Sequence, residues 1–168
     1  MKNAELKNPV IFNDDGTCYI IILENSKVAH KVILDTYQLI HICGRRWFYS
    51  TGYAVASNNN DGWVEMGKTI LNTSRTVDHI NRNRLDNRTS NLRPCTVSQN
   101  NANRKGSNKT SRYKGVSKCK STGKWVVRIS NGGKYLSGGR FLEEKEAAKK
   151  YNEMAIKIFG EFAYLNEV

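Results

Sequence analysis

Between Asn100 and Arg112 the chain offers Ala102 as its only apolar side chain, among asparagines, serines, a glycine and a cluster of Lys and Arg. A stretch of that kind cannot build a hydrophobic core, so whatever lies on either side must build its own. At 168 residues there is length for two small cores. The stretch reads as a basic interdomain linker. The boundaries taken from it are 1–104, a linker at 105–111, and 112–168.

Each side carries its own periodicity. In the first part, Cys18–Leu23 and Val28–Leu34 are strand-length apolar runs joined by the turn Glu24-Asn25-Ser26-Lys27. Trp47–Ala56, with alternating aromatics and Gly52, reads as one more strand, and Ser57–Gly62 as a turn. Val64–Leu71 is apolar at roughly helical spacing over too short a length to assign. After the linker, Tyr113–Lys118, Lys124–Ser130 and Gly133–Phe141 read as three strands, with turns at Ser121-Thr122-Gly123 and Asn131-Gly132. Glu143–Phe159 then places Ala147, Ala148, Tyr151, Met154, Ala155, Ile158 and Phe159 along one stripe of an amphipathic helix. The fold class is α+β, with a C-terminal three-stranded antiparallel sheet packed on one helix.

The charge balance narrows the partner. Lys and Arg number 27 against 15 Asp and Glu, a net charge of +12, which favours a polyanion and first of all a nucleic acid. Apolar residues at 39% are too many for a disordered chain. No run is long enough to span a bilayer, and MKNAELKNPV has no apolar signal-peptide region. No membrane association is expected, and the location expected is cytoplasmic, that of the host cell if a phage encodes the chain. Cys18, Cys43, Cys95 and Cys119 include no C-x-x-C pair, which excludes a zinc ribbon and suggests reduced thiols.

The densest chemistry runs through Val77-Asp78-His79-Ile80-Asn81, Leu85-Asp86-Asn87-Arg88, Asn91-Leu92-Arg93 and Ser98-Gln99-Asn100. Adjacent residues of an extended segment point to opposite faces, so Asp78 and His79 diverge. Thr96 is a sensible N-cap for a helix that would carry Asn100 back towards the strand. One carboxylate and one amide oxygen are hard donors suited to Mg or Mn. A histidine accepts a proton near neutral pH. On spacing alone, turn chemistry in an Asn-rich segment competes with catalysis.

The run VDHINRNRLDNRTSNLRPCTVSQNNAN resembles the active-site motif of HNH homing endonucleases of the phage and intron type. That resemblance implies a ββα-metal fold holding one divalent ion, Mg or Mn, with no small-molecule cofactor. Carried over by position, it implies His79 as general base for the attacking water. Asp78 and Asn100 would be the metal ligands, with the ion stabilising the leaving 3′-oxygen. It implies Asn91 as the residue that braces the loop and orients the histidine, with Asn87 as the other candidate for that role. Asp86 and Arg88 are expected to pair within the loop, and Arg93 to meet a phosphate. Gly67 stands where such proteins often carry a histidine. His30 and His41 read as ordinary surface or half-buried residues.

The part after the linker carries Arg112-Tyr113-Lys114-Gly115-Val116, Gly123-Lys124-Trp125, Gly139-Arg140-Phe141 and the closing Gly160–Asn166. This resembles the Apetala2-type DNA-binding domain. The resemblance implies a three-stranded sheet laid in the major groove and backed by a helix. Alternation puts Trp125, Val127 and Ile129 on the helix side. It leaves Lys124 and Arg128 outside to reach bases, with Lys114 and Lys134 expected to join them. Gly138 stands where that family usually has a large apolar residue. Taken together, these readings describe a metal-dependent DNA endonuclease acting as a monomer on double-stranded DNA. The alternative is a sequence-specific regulator whose HNH region is inactive. An RNA-binding protein is disfavoured, because no aromatic RNA platform is visible.

Overall fold

The structure, a computed structural model, describes residues 5–58, 62–106 and 110–168. It is a mixed α/β fold of small antiparallel sheets with a C-terminal helix, and it divides into two units, Met1–Cys95 and Thr96–Val168. The centres of the expected Ser57–Gly62 turn and of the linker lie outside the described residues.

The first unit opens with β1 (Val10–Phe12), β2 (Thr17–Glu24) and β3 (Lys27–Asp35) in one antiparallel sheet. The β2–β3 turn is tight because Asn25 and Ser26 both adopt positive φ. A short helix, α1 (Leu39–Ile42), leads into β4 (Trp47–Ser50), β5 (Tyr53–Ser57) and β6 (Trp63–Glu65), a second sheet. The single strand expected at Trp47–Ala56 is therefore a hairpin. Thr51 and Gly52, at φ 49° and 93°, form a two-residue reversal of the kind that matches strand twist. Val64–Leu71 divides between the end of β6 and α2 (Met66–Ile70). The hairpin β7 (Thr76–His79) and β8 (Leu92–Cys95) closes the unit. One core joins them all: Ile20, Ile22, Val32 and Leu34 meet Trp47, Ala54 and Ala56, then Met66, Val77 and Leu92.

The second unit begins with α3 (Val97–Ala102), followed by β9 (Val116–Lys118), β10 (Trp125–Asn131), β11 (Lys134–Phe141) and α4 (Glu144–Phe159). The residues from Asn100 to Ala102, assigned above to the start of the linker, are helical, and Ala102 is buried in the core of this unit. The three strands form an antiparallel sheet in the order β11-β10-β9. Val127 and Ile129 are buried with Tyr151, Ala147, Ala148, Ala155 and Phe159 of α4, as period-two and helical spacing require.

The register explains Gly138. Val127 pairs with Gly139 but Arg128 pairs with Ser137, so Gly138 is the extra residue of a β-bulge. A Cβ there would lie 2.6 Å from both Met154 Sδ and Val127 Cγ1, so the site has no room for the large apolar residue of the family pattern.

Candidate active site

The β7–β8 register places Asp78 opposite Arg93 and His79 opposite Leu92. Opposed residues of antiparallel neighbours share a face, so the Asp78 carboxylate meets the Arg93 guanidinium. Arg93 Nε donates to Asp78 Oδ2 at 2.9 Å, and Nη2 lies 2.8 Å from the same oxygen. Both side chains are largely buried, at 4% and 13% exposed, which strengthens the pairing and fixes the carboxylate in place.

His79 ends β7 and is itself buried, with its ring 6.0 Å from that of Tyr53. Its Nε2 lies 3.3 Å from Asn87 Oδ1. The orientation of that amide follows from its other end, where Asn87 Nδ2 donates to the Arg84 carbonyl at 3.3 Å. An acceptor facing Nε2 selects the Nε2–H tautomer and leaves the ring's lone pair on Nδ1. Burial holds the imidazole's pKa below its ordinary value of 6.5, against smaller upward pulls from Asn87 and Asp78. At neutral pH the ring is therefore uncharged and able to accept a proton.

The loop between β7 and β8 is held by its own amides. The Asn81 backbone N–H donates to Asn91 Oδ1 at 2.8 Å, and Asn91 Nδ2 donates to the Asp86 carbonyl at 2.7 Å. Asn91 thus bridges the two ends of the loop that carries Asn87. Asp86 and Arg88 do pair within the loop, at 2.9 and 2.7 Å, and this pairing holds the Asp86 carboxyl below the usual range.

The sequence gives little hint of the outer support. The Asn87 N–H donates to the Ile33 carbonyl at 2.7 Å and the Ile33 N–H to Leu85 O at 2.9 Å, so the loop rides on the edge of β3. The Thr89 N–H reaches Asp35 Oδ2, and its hydroxyl accepts from the buried Gln38 amide. Gly67 of α2 packs beneath Asn87: a Cβ there would lie 3.4 Å from Asn87 Oδ1 and 3.3 Å from Val77 Cγ1. Its position is one of close packing.

In the second unit, Thr96 caps α3. Its hydroxyl accepts from the Gln99 N–H, and the Gln99 side chain returns to the Thr96 N–H, a capping box. Asn100 lies on the helix this cap starts.

The HNH endonuclease family matches residues 75–102, and the AP2 domain family matches residues 111–161. A protein of Acanthamoeba polyphaga mimivirus, named as an uncharacterized HNH endonuclease, is 39% identical over 177 residues, which span 99% of this chain and 90% of its own. The chain belongs to the HNH endonuclease family. No solved structure matches it significantly.

In this HNH endonuclease, DNA is the partner that both domains imply. The AP2 sheet presents its outer face through register. Arg128 and Ser130 are exposed there, Lys124 precedes β10 on the same alternation, and Arg140 stands opposite Val126. Tyr135, 77% exposed, stands opposite Ser130. Arg140 and Tyr135 were not singled out above; the cross-strand register that follows from the bulge at Gly138 is what brings them to this face.

Two lysines fall elsewhere than the alternation suggested. Lys134 pairs with Asn131 and shares the side of Ile129 and Leu136, the helix side, because the bulge resets the alternation of β11. Lys114 precedes β9, where strand alternation does not apply. Its ammonium donates to the carbonyls of Asn101, Ala102 and Arg104 at 3.1, 2.5 and 2.6 Å, and burial lowers its pKa to about 8.

Among the described residues no three His, Cys, Asp or Glu side chains cluster as a metal cage. The donors that the motif provides are one pre-positioned carboxylate and one amide. They fit a hard ion that keeps most of its shell as water and phosphate oxygen, and they do not fit zinc. No helix among the described residues is long and apolar enough to cross a membrane.

Proposed function

We propose that the chain hydrolyses phosphodiester bonds of double-stranded DNA as a site-specific endonuclease of the homing type, using one divalent ion, Mg or Mn, and His79 as general base. The reading is supported above all by the state of His79: buried, uncharged at neutral pH, and held through Nε2 by Asn87 so that Nδ1 carries the lone pair. In this role Nδ1 takes the proton from the attacking water. Asn87 keeps the ring in its tautomer, and Asn91 keeps Asn87's loop closed.

On the motif's pattern, a ββα-metal arrangement, the ion is held by Asp78 and Asn100, and it would stabilise charge on the leaving 3′-oxygen. Arg93 holds Asp78 in its rotamer and adds positive charge where a phosphate would approach. We assign residues 1–104 to cleavage and 112–168 to reading DNA. Lys124, Arg128 and Arg140 form the base-facing set, and the protein acts as a monomer on DNA in the cytoplasm of its host.

The test is cleavage of supercoiled plasmid with Mg, with EDTA, and by His79→Ala. Cutting is expected to need the metal and to fall by about 10²–10⁴ in the variant, the usual loss for a general base. DNA affinity should stay unchanged. Equal cutting by His79→Ala would remove the base, undiminished cutting in EDTA would remove the metal, and no cutting by the native chain would leave a DNA-binding regulator.

A further inference from the structure

Helix α3 carries Asn100 but is only six residues long. Isolated helices of fewer than about 12–15 residues are marginal in water, so its shape must be imposed from outside. Three sets of contacts impose it, all from the C-terminal unit. At its start, Ser98 Oγ donates to Asn131 Oδ1 at 2.9 Å and accepts from the Gly132 N–H at 3.3 Å, which pins the first turn to the β10–β11 reversal. At its end, Ala102 is buried with Tyr113, Val127 and Tyr151, and its carbonyl accepts from the Tyr164 N–H at 3.0 Å.

Lys114 supplies the third set through the three carbonyls at the C-terminal end of α3. There a cation satisfies groups left without helical partners and complements the helix dipole. The lysine is itself fixed. Its N–H donates to Asn166 Oδ1 at 2.7 Å and its carbonyl accepts from Asn166 Nδ2 at 3.1 Å, while Asn166 is bonded twice to Asn152 of α4. A continuous chain of hydrogen bonds therefore runs from α4 through Asn166 and Lys114 to the helix of Asn100.

We propose that the AP2 unit is a structural part of the cleavage apparatus as well as a DNA reader: Lys114 and Ser98 are positioning residues that set α3, and through it the Asn100 amide, for the metal. This rests on the reading of Asn100 as a metal ligand. It makes Lys114 a support for the ion's ligand instead of a DNA contact.

The test uses the full chain with Lys114→Met and, separately, Ser98→Ala. Hydrogen exchange of the α3 amides, Asn100 and Asn103 among them, is measured in the metal-free protein. The Mg concentration for half-maximal plasmid cleavage and the salt dependence of DNA binding in EDTA are measured beside it. In Lys114→Met, α3 should exchange faster while α4 keeps its protection, and the half-maximal Mg concentration should rise about tenfold, as for loss of a group that orients a ligand. DNA binding in EDTA should keep its affinity and its salt slope. Ser98→Ala should shift exchange and Mg requirement in the same direction by a smaller factor, and it carries the test if Lys114→Met does not fold. Unchanged exchange and Mg requirement in a folded variant would overturn the proposal. So would a loss of DNA affinity with a salt slope shallower by about one, the mark of a lost phosphate contact. A native chain that cuts without metal would instead sink the ligand reading of Asn100.

Discussion

Replacing Asn87 tests the base from two sides. Asn87→Leu removes the acceptor for His79 Nε2–H with little change in volume, at a position 1% exposed. The lost bond is long, 3.3 Å, so its own contribution is at the weak end of about 0.5–1.5 kcal/mol. Leaving the buried N–H and the Arg84 carbonyl without that side chain adds a desolvation cost of about 1–3 kcal/mol. A stability loss of about 1–4 kcal/mol is therefore expected.

The activity effect has a sign that stability does not. Asn87 stabilises the protonated ring more than the neutral one, so its removal lowers the pKa of His79 further, and the acid limb of the cleavage rate moves to lower pH. The plateau rate falls because the tautomer and ring angle are no longer imposed. Asn87→Asp does the reverse: a carboxylate facing the imidazole favours its charged form, and the acid limb moves to higher pH. The assay is single-turnover cleavage at saturating DNA and Mg between pH 5 and 9, with unfolding measured at each pH. Limbs that shift in the same direction, or not at all, in both variants would show that Asn87 does not govern the base.

Other outcomes follow from the same geometry. His79 has a folded-state pKa depressed below 6.5, so the unfolded chain binds more protons just below that pH; stability should be complete above about pH 6.5 and fall as the solution is acidified, and a denaturant titration of His79→Ala should show a flatter fall. Gly115→Ala should unfold or strongly destabilise the C-terminal unit, by about 2–5 kcal/mol from positive φ and overpacking combined, because its φ is +73° and a Cβ would run into the Tyr151 ring and the Arg128 carbonyl; thermal melting of the variant checks this. Arg128→Ala and Arg140→Ala should each relax preference at one base position by about 1–3 kcal/mol in a randomised-site selection, whereas Lys124→Ala should weaken all sites alike if it meets only phosphate.

The helix of the C-terminal unit, its three strands and the cap at Thr96 were legible because each rests on local rules: period 3.6, period 2, and a hydroxyl that accepts its own helix's N–H. The neutral histidine was legible only as a residue type; its tautomer came from Asn87, which is brought up by the edge of β3 more than fifty residues earlier in the chain. The hairpin at Thr51-Gly52 was hidden because alternation continues through a two-residue turn. Lys114 and Lys134 were misplaced by alternation for different reasons, one lying before its strand and the other beyond a bulge. The linker was read too early because Asn100–Ala102 is polar in sequence, yet the burial of Ala102 and the carbonyl cradle of Lys114 make it part of a folded unit. The sequence by itself determined which residues carry chemistry, since charge, motif order and periodicity are properties of the chain. Tertiary structure decided which of them share a hydrogen bond, because pairing depends on strand register and on packing between segments far apart in the chain.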